Sequence, residues 1–290
     1  MQNKQVVGHT AAAITVLIWG TTFIATKILL RSFSPLEILL ARFLIGYCAL
    51  LLIKPRRLHL AQRKQEWWFV AAGLSGITMY YLLENIALTY STASNVGIIT
   101  TISPFFTALL AMIFLKTEKP RYSFYIGFVV AISGVILISW SGATLHLNPL
   151  GDILAVLAAF AWAVYSIITK KISELNLNLI LTTRHTFFYG ILFMLPMTLV
   201  LDFKIDLHAF AEPINLGNIL FLGLGACALC FVTWNTAVKH IGAVKSSVYI
   251  YLVPVITLIF SVWILHEALT PILIVGACLT LIGLWLSSRS

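Results

Sequence analysis

The chain is a succession of apolar runs of about 20 residues, separated by short polar breaks. A helix needs about 20 apolar residues to cross roughly 30 Å of hydrocarbon, and it satisfies its own backbone there. The runs fall at 9–30, 35–53, 67–88, 93–115, 122–141, 150–170, 179–201, 216–238, 243–265 and 271–287. They predict an all-α integral membrane protein with ten transmembrane helices. The breaks carry turn chemistry at Ser34-Pro35, Lys54-Pro55-Arg56-Arg57, Lys119-Pro120, Asn148-Pro149 and Thr270-Pro271. None has room for a separate folded domain, the longest (around 201–215) being about 15 residues.

Composition excludes the main alternatives. Sixty per cent of the residues are hydrophobic and 10% are charged, against about 45–50% and about 25% in soluble domains. So few charges could not cover a soluble surface, which excludes a soluble enzyme, a nucleic-acid-binding domain and a disordered scaffold. The net charge of +9 is then a topology signal. Counted over alternate loops, fourteen Lys and Arg fall on one side and three (Lys27, Arg31 and Lys204) on the other, with Arg42 and Arg184 inside spans. The positive-inside rule puts the basic side, and with it both termini, in the cytoplasm. Residues 1–10 lead straight into an apolar stretch with no A-x-A-like site, so a cleavable signal peptide is not expected.

The chain also repeats itself. WGTTFIATKIL, with Trp19 and Lys27, aligns with WAVYSIITKKI, with Trp162 and Lys170. Arg42 matches Arg184, the Glu84–Leu88 stretch matches Trp234–Val238, and Pro104 matches Pro254. Glu118, Gly127 and Gly134 match Glu267, Gly276 and Gly283, at offsets that stay between 142 and 150 residues. The expected units are 1–145 and 146–290, each of five spans. Because five is odd, the second copy enters from the opposite side, giving two inverted repeats. That symmetry is the usual basis of alternating access.

Ten spans in two repeats, Trp-Gly-Thr-Thr-Phe in the first span, Ser34-Pro35 with Arg42, paired Pro104 and Pro254, and Glu118 and Glu267 at span ends resemble the drug/metabolite transporter superfamily. The resemblance runs over essentially the whole chain and is nearest to the EamA-type ten-helix exporters. It implies a cavity walled by spans 1–4 and 6–9, with spans 5 and 10 outside them. It also implies export of amino acids or other small metabolites across the cytoplasmic (inner) membrane, without choosing a substrate.

An ionisable group inside a span costs about 2.5–3.5 kcal/mol on insertion scales and so needs a reason. Glu84, beside Asn85 and one turn from Tyr80 and Tyr81, reads either as a cavity carboxylate that takes a cation or proton, or as one half of an ion pair with Lys27 or Arg42. Arg42 and Arg184 read as helix clamps or as anchors for a substrate carboxylate. Lys27 and Lys170, at helix ends, can snorkel to the headgroups. Candidate substrate-binding residues are Trp19, Thr22, Tyr80, Glu84, Asn85, Asn95, Trp162, Tyr165, Trp234, Asn235 and Tyr249. Together they offer a few hydrogen-bonding groups among aromatics, and the aromatic faces can hold a cation.

Pro104 and Pro254 each remove a backbone hydrogen bond near mid-span, which suits either gating or a static bend. Gly127, Gly134, Gly276 and Gly283 recur every seven residues and suit close helix packing, within a monomer or across a homodimer. Cys227-x-x-Cys230 lies in an apolar run without a second pair, and no His has a partner at metal-ligand spacing, so neither metal nor cofactor is expected. No Walker-type motif is present, so a gradient of protons or another ion, a counter-substrate, or the substrate's own gradient would supply the energy. An integral-membrane transferase is the alternative from another class, but no nucleophile or metal-binding set accompanies Glu84.

Overall fold

The computed structural model describes residues 2–116, 122–140, 149–201, 203–204, 206–266 and 269–288. Glu118 and Glu267 lie outside them. Among the described residues, all regular structure is helical. The long elements are α1 (Gln2–Leu29), α2 (Pro35–Ile53), α3 (66–90), α4 (Ala93–Phe114) and α5 (Tyr122–Trp140). They are followed by α6 (Pro149–Glu174), α7 (Leu179–Met194), α8 (Pro213–Ile241), α9 (Ala243–Leu265) and α10 (Pro271–Ser288). Six of them (α1, α2, α4, α6, α8 and α9) are long and apolar enough to cross a membrane by length and composition; α5 and α10 contain shorter apolar stretches.

Local chemistry sets the boundaries. Ser34 and Glu37 form a reciprocal capping box at the start of α2, with Pro35 in the first turn. Asn178 accepts from the Leu181 amide at the start of α7, and Thr92 accepts from the Asn95 amide at the start of α4. The α-helical part of α7 stops at Met194, short of the expected 201, and continues as a 3₁₀ turn over Leu195–Leu199 that contains Pro196. A proline cannot supply the amide that an α-helix would need there.

Both predicted mid-span prolines sit just after a break. In α4 the helix Ala93–Thr100 ends, i→i+3 bonds join Thr101 to Ile98 and Ile102 to Ile99, and a second helix begins at Ser103. In α9 the helix Ala243–Ser247 passes through a 3₁₀ segment, Val248–Leu252, before Val253–Leu265. Each proline occupies the first turn of the second piece, where its missing amide leaves no bond unmade.

Two π-helical stretches, Gly73–Met79 in α3 and Phe221–Leu229 in α8, are not signalled by the hydropathy pattern. Wide turns of this kind are rare and recur at functional sites. Each stretch packs against a helix of the other half of the chain. A Cβ on Gly73 would come within 2.7 Å of the Gly190 amide in α7, and one on Gly223 within 2.6 Å of Ile45 in α2. A Cβ on Gly46 in α2 would in turn meet the Gly223 carbonyl oxygen at 3.1 Å. Gly190 follows Gly46 by 144 residues, as Asn178 follows Ser34. In this register Arg184 corresponds to Leu40, so the sequence match of Arg42 with Arg184 is not a structural equivalence. Their surroundings differ accordingly, as described below.

The glycine pattern of α5 and α10 is explained within one protomer. These helices pack tightly on each other: a Cβ on Gly283 would fall 2.3 Å from the Ala131 amide nitrogen and 2.4 Å from the Gly127 carbonyl oxygen. A Cβ on Gly134 would fall 2.6 Å from the Gly276 carbonyl oxygen. Backbone on backbone leaves nothing flexible to yield. Replacing Gly134 by Val forces the pair apart, at a cost of about 1–3 kcal/mol. Thermal unfolding of the purified protein should register this as a clear drop in midpoint, while Gly217→Val, at a glycine with nothing within 4 Å, should change little.

Candidate functional site

The interior is an aromatic core shared by both halves of the chain. Phe231 of α8 lies 5–6 Å, ring to ring, from Trp19, Phe43, Trp162, Tyr165 and Phe187, and 6.1 Å from Tyr81. Beside it is a small cavity of about 30 Å³, room for about two waters. It is walled by Trp19, Thr22 and Phe23 of α1, Tyr80, Tyr81 and Glu84 of α3, Thr100 and Ser103 of α4, Trp162 of α6, and Ile250 and Val253 of α9. The two broken helices thus meet the cavity at their breaks.

Five of the sequence-predicted binding residues, Trp19, Thr22, Tyr80, Glu84 and Trp162, lie together on this wall. Glu84 is buried, and the Tyr80 hydroxyl is its hydrogen-bonding neighbour. The rings of Trp19 and Trp162 are 5.1 Å apart at 87°, those of Tyr80 and Trp162 4.9 Å apart at 50°, and those of Tyr80 and Tyr81 4.7 Å apart at 82°. Rings inclined in this way form walls rather than a stack. The Trp19 indole N–H donates to the Ala226 carbonyl at 3.2 Å. The indole N–H groups of Trp162 and Trp234 are buried without a hydrogen-bond partner among the described residues.

The other predicted residues are engaged elsewhere. Trp234 is buried behind Trp19 and Trp162 and is not on the cavity wall. The Asn85 amide donates to the Pro35 carbonyl at 3.1 Å, holding α3 to the start of α2. Asn95 donates to Asp152 at 2.7 Å and to Ser91 at 2.7 Å, linking α4 to α6. Tyr249 meets His9 at 2.8 Å near the surface. Tyr165 donates to Asn235 at 3.2 Å, and Asn235 donates to Thr183 at 2.9 Å. This chain crosses α6, α8 and α7 and borders a second recess, where Tyr165 and Asn235 are joined by Thr169, Thr182 and Lys239.

The two span arginines have different tasks. Arg184 donates from both terminal nitrogens to the Lys54 and Arg56 carbonyls, at 2.7 and 2.5 Å, pinning the loop after α2. Arg42 is fully buried: its Nε donates to the Cys227 sulfur at 3.2 Å, and its guanidinium lies 4.4 Å from the Tyr81 ring centre. Its two terminal nitrogens have no hydrogen-bond partner among the described residues, so it makes no direct pair with Glu84. Lys27 does not extend freely to headgroups, because it donates to the Leu88 and Ser91 carbonyls at 2.5 and 2.6 Å and caps the end of α3. Arg42 and Glu84 interact electrostatically without a hydrogen bond from the terminal nitrogens of Arg42.

Sequence reasoning passed over Phe23, Ile250 and Val253 on the wall. Phe23 shares a helical face with Trp19, which spacing alone could have revealed. It also passed over a cluster at the start of α3, just ahead of the Trp67-Trp68 pair. There Glu66 accepts from Tyr189 at 2.5 Å and meets His185 at 2.6 Å. Partial burial works to raise the Glu66 carboxyl, but these two hydrogen bonds outweigh it and hold the group below the usual carboxylate range.

Comparison with known proteins agrees with this architecture. The model of the EamA-like transporter family matches residues 6–140 and 149–289. An uncharacterized transporter of Archaeoglobus fulgidus is 28% identical over 290 residues, covering 97% of this chain and 96% of that one. A protein of Streptantibioticus cattleyicolor named as a probable terminal-alkyne amino-acid exporter is 27% identical, covering 96% and 92%. A solved crystal structure 19% identical in sequence superimposes with a TM-score of 0.69 over 99% of this chain and 96% of the other, and so shares the fold. The chain belongs to the EamA-like transporter family of the drug/metabolite transporter superfamily and is a multi-pass membrane protein.

Proposed function

We propose that the protein is a secondary transporter that exports small metabolites such as amino acids across the cytoplasmic membrane by alternating access. The observation that carries this reading is a buried carboxylate, Glu84, on an aromatic cavity wall that includes the breaks of α4 and α9. In this reading α1–α10 are ten transmembrane helices, residues 1–145 and 146–290 are inverted repeats, and both termini are cytoplasmic. The cross-contacts of α2 with α8 and of α3 with α7 support the repeat. The cavity holds about two waters and must widen to admit a cargo. Pro104 and Pro254, beside the breaks, mark where half-helices can pivot. The relative named as an amino-acid exporter supports amino acids as a cargo class. The aromatic wall favours organic cations as the second reading.

Counterflow into proteoliposomes loaded with unlabelled compounds tests the carrier mechanism. A labelled cargo should enter faster against its own unlabelled form, whereas a passive pore shows no such trans-stimulation. Where an imposed pH gradient stimulates uptake, Glu84→Gln should remove that stimulation; a variant that kept its full pH dependence would place proton coupling elsewhere. Topology is checked separately, by protease tags at each end. Both should be cleaved only from the cytoplasmic face; cleavage of one from outside would break the even span count, and cleavage of both from outside would reverse the orientation.

A further inference from the structure

The cavity wall carries one sign of charge. Its ionisable carboxylate is Glu84, and among the described residues no Lys, Arg or His lines it. The Arg42 guanidinium, 4.4 Å from the Tyr81 ring centre, lies within electrostatic range of Glu84 but is not on the wall. The rings of Trp19, Tyr80, Tyr81 and Trp162 share this wall with Glu84, mutually inclined rather than stacked. Such faces attract a cation, and more strongly when water is excluded.

The hydroxyls of Thr22 and Thr100 donate back to the carbonyls of Trp19 and Gly97, at 2.7 and 3.1 Å. Toward the cavity they can act only as acceptors. The Trp162 indole N–H, buried and without a partner among the described residues, is a donor left unused by the fold. A ligand carboxylate here would meet Glu84 with no cation on the wall to offset it, and buried like charges repel. A ligand with an ammonium group and a neutral acceptor meets both unfilled requirements.

We propose that this cavity selects a small amine that has one cationic nitrogen and no free carboxylate, with its ammonium at Glu84 among the rings and a neutral acceptor, such as a carbonyl, taken by the Trp162 N–H. The proposal rests on the cavity being the cargo site, and it decides between the two cargo classes given above in favour of the cation.

A matched trio tests it: phenethylamine, phenylalaninamide and phenylalanine, titrated at neutral pH against the full-length protein in nanodiscs by tryptophan fluorescence, and as competitors in counterflow. The amide should bind tightest, the plain amine next, and the zwitterionic amino acid at least tenfold more weakly than the amide. Glu84→Gln should weaken the amide and the amine at least tenfold. Trp162→Phe keeps a ring but lacks the N–H, so it should weaken the amine modestly through the smaller ring face and the amide more, bringing the amide down to the level of the amine. This ratio stays readable even if Glu84→Gln fails to fold. Phenylalanine binding as tightly as its amide would overturn the proposal and leave the amino-acid reading standing. Amine affinity unchanged in Glu84→Gln, or an amide preference that survives Trp162→Phe, would also overturn it. Counterflow of sugars or nucleotides with no response to the trio would do the same while keeping the carrier; absence of counterflow for every class would remove the transport reading as well.

Discussion

Hydrocarbon offers no hydrogen bonds, so every backbone amide and carbonyl in this protein must be satisfied from within the chain. That constraint determines where the helices are allowed to be irregular. The breaks at 101–102 and 248–252 and the π-helical stretches at 73–79 and 221–229 leave backbone groups that regular turns would have paired. Such backbone is tolerated where protein surrounds it. The breaks adjoin the cavity wall, and the π-helical stretches lie against α2 and α7, where glycines allow near-contact. Thr78 illustrates the compensation: its hydroxyl donates at 3.0 Å to the Gly190 carbonyl of the neighbouring helix.

The same medium makes buried charge expensive, and the protein holds its few charges by different means. Arg184 and Lys27 each satisfy helix-end or loop carbonyls. Arg42 is held by a sulfur and by aromatic faces, with its terminal nitrogens unused. Glu84 lies on the cavity wall beside a tyrosine hydroxyl and within electrostatic range of Arg42.

Much of the candidate cavity wall was legible in the sequence because ionisable and aromatic residues in hydrocarbon are conspicuous. Glu84, Tyr80, Trp19 and Trp162 stand out against leucine and isoleucine for that reason. Phe23, Ile250 and Val253 do not, since an apolar residue facing a cavity has the same character as one facing lipid. Asn85 and Asn95 were legible as polar groups, but not in what they bind. An amide inside a membrane takes whichever acceptor the neighbouring helix presents, here the Pro35 carbonyl and Asp152. The arginine match misled because two identical residue types in similar helices can stand two positions out of register, and only the caps and the glycine contacts show it.

The sequence by itself determined that this is a helical membrane protein and where its polar breaks fall, because hydropathy and length are local properties with a steep energetic penalty for error. It also carried the repeat and the glycine spacing, which are patterns along one dimension. Tertiary structure decided which side chains share a cavity, which buried donors remain unused, and that the glycines of α5 and α10 meet within one protomer. Those outcomes depend on how helices far apart in sequence approach and rotate, and small residues fix that approach only once both partners are present.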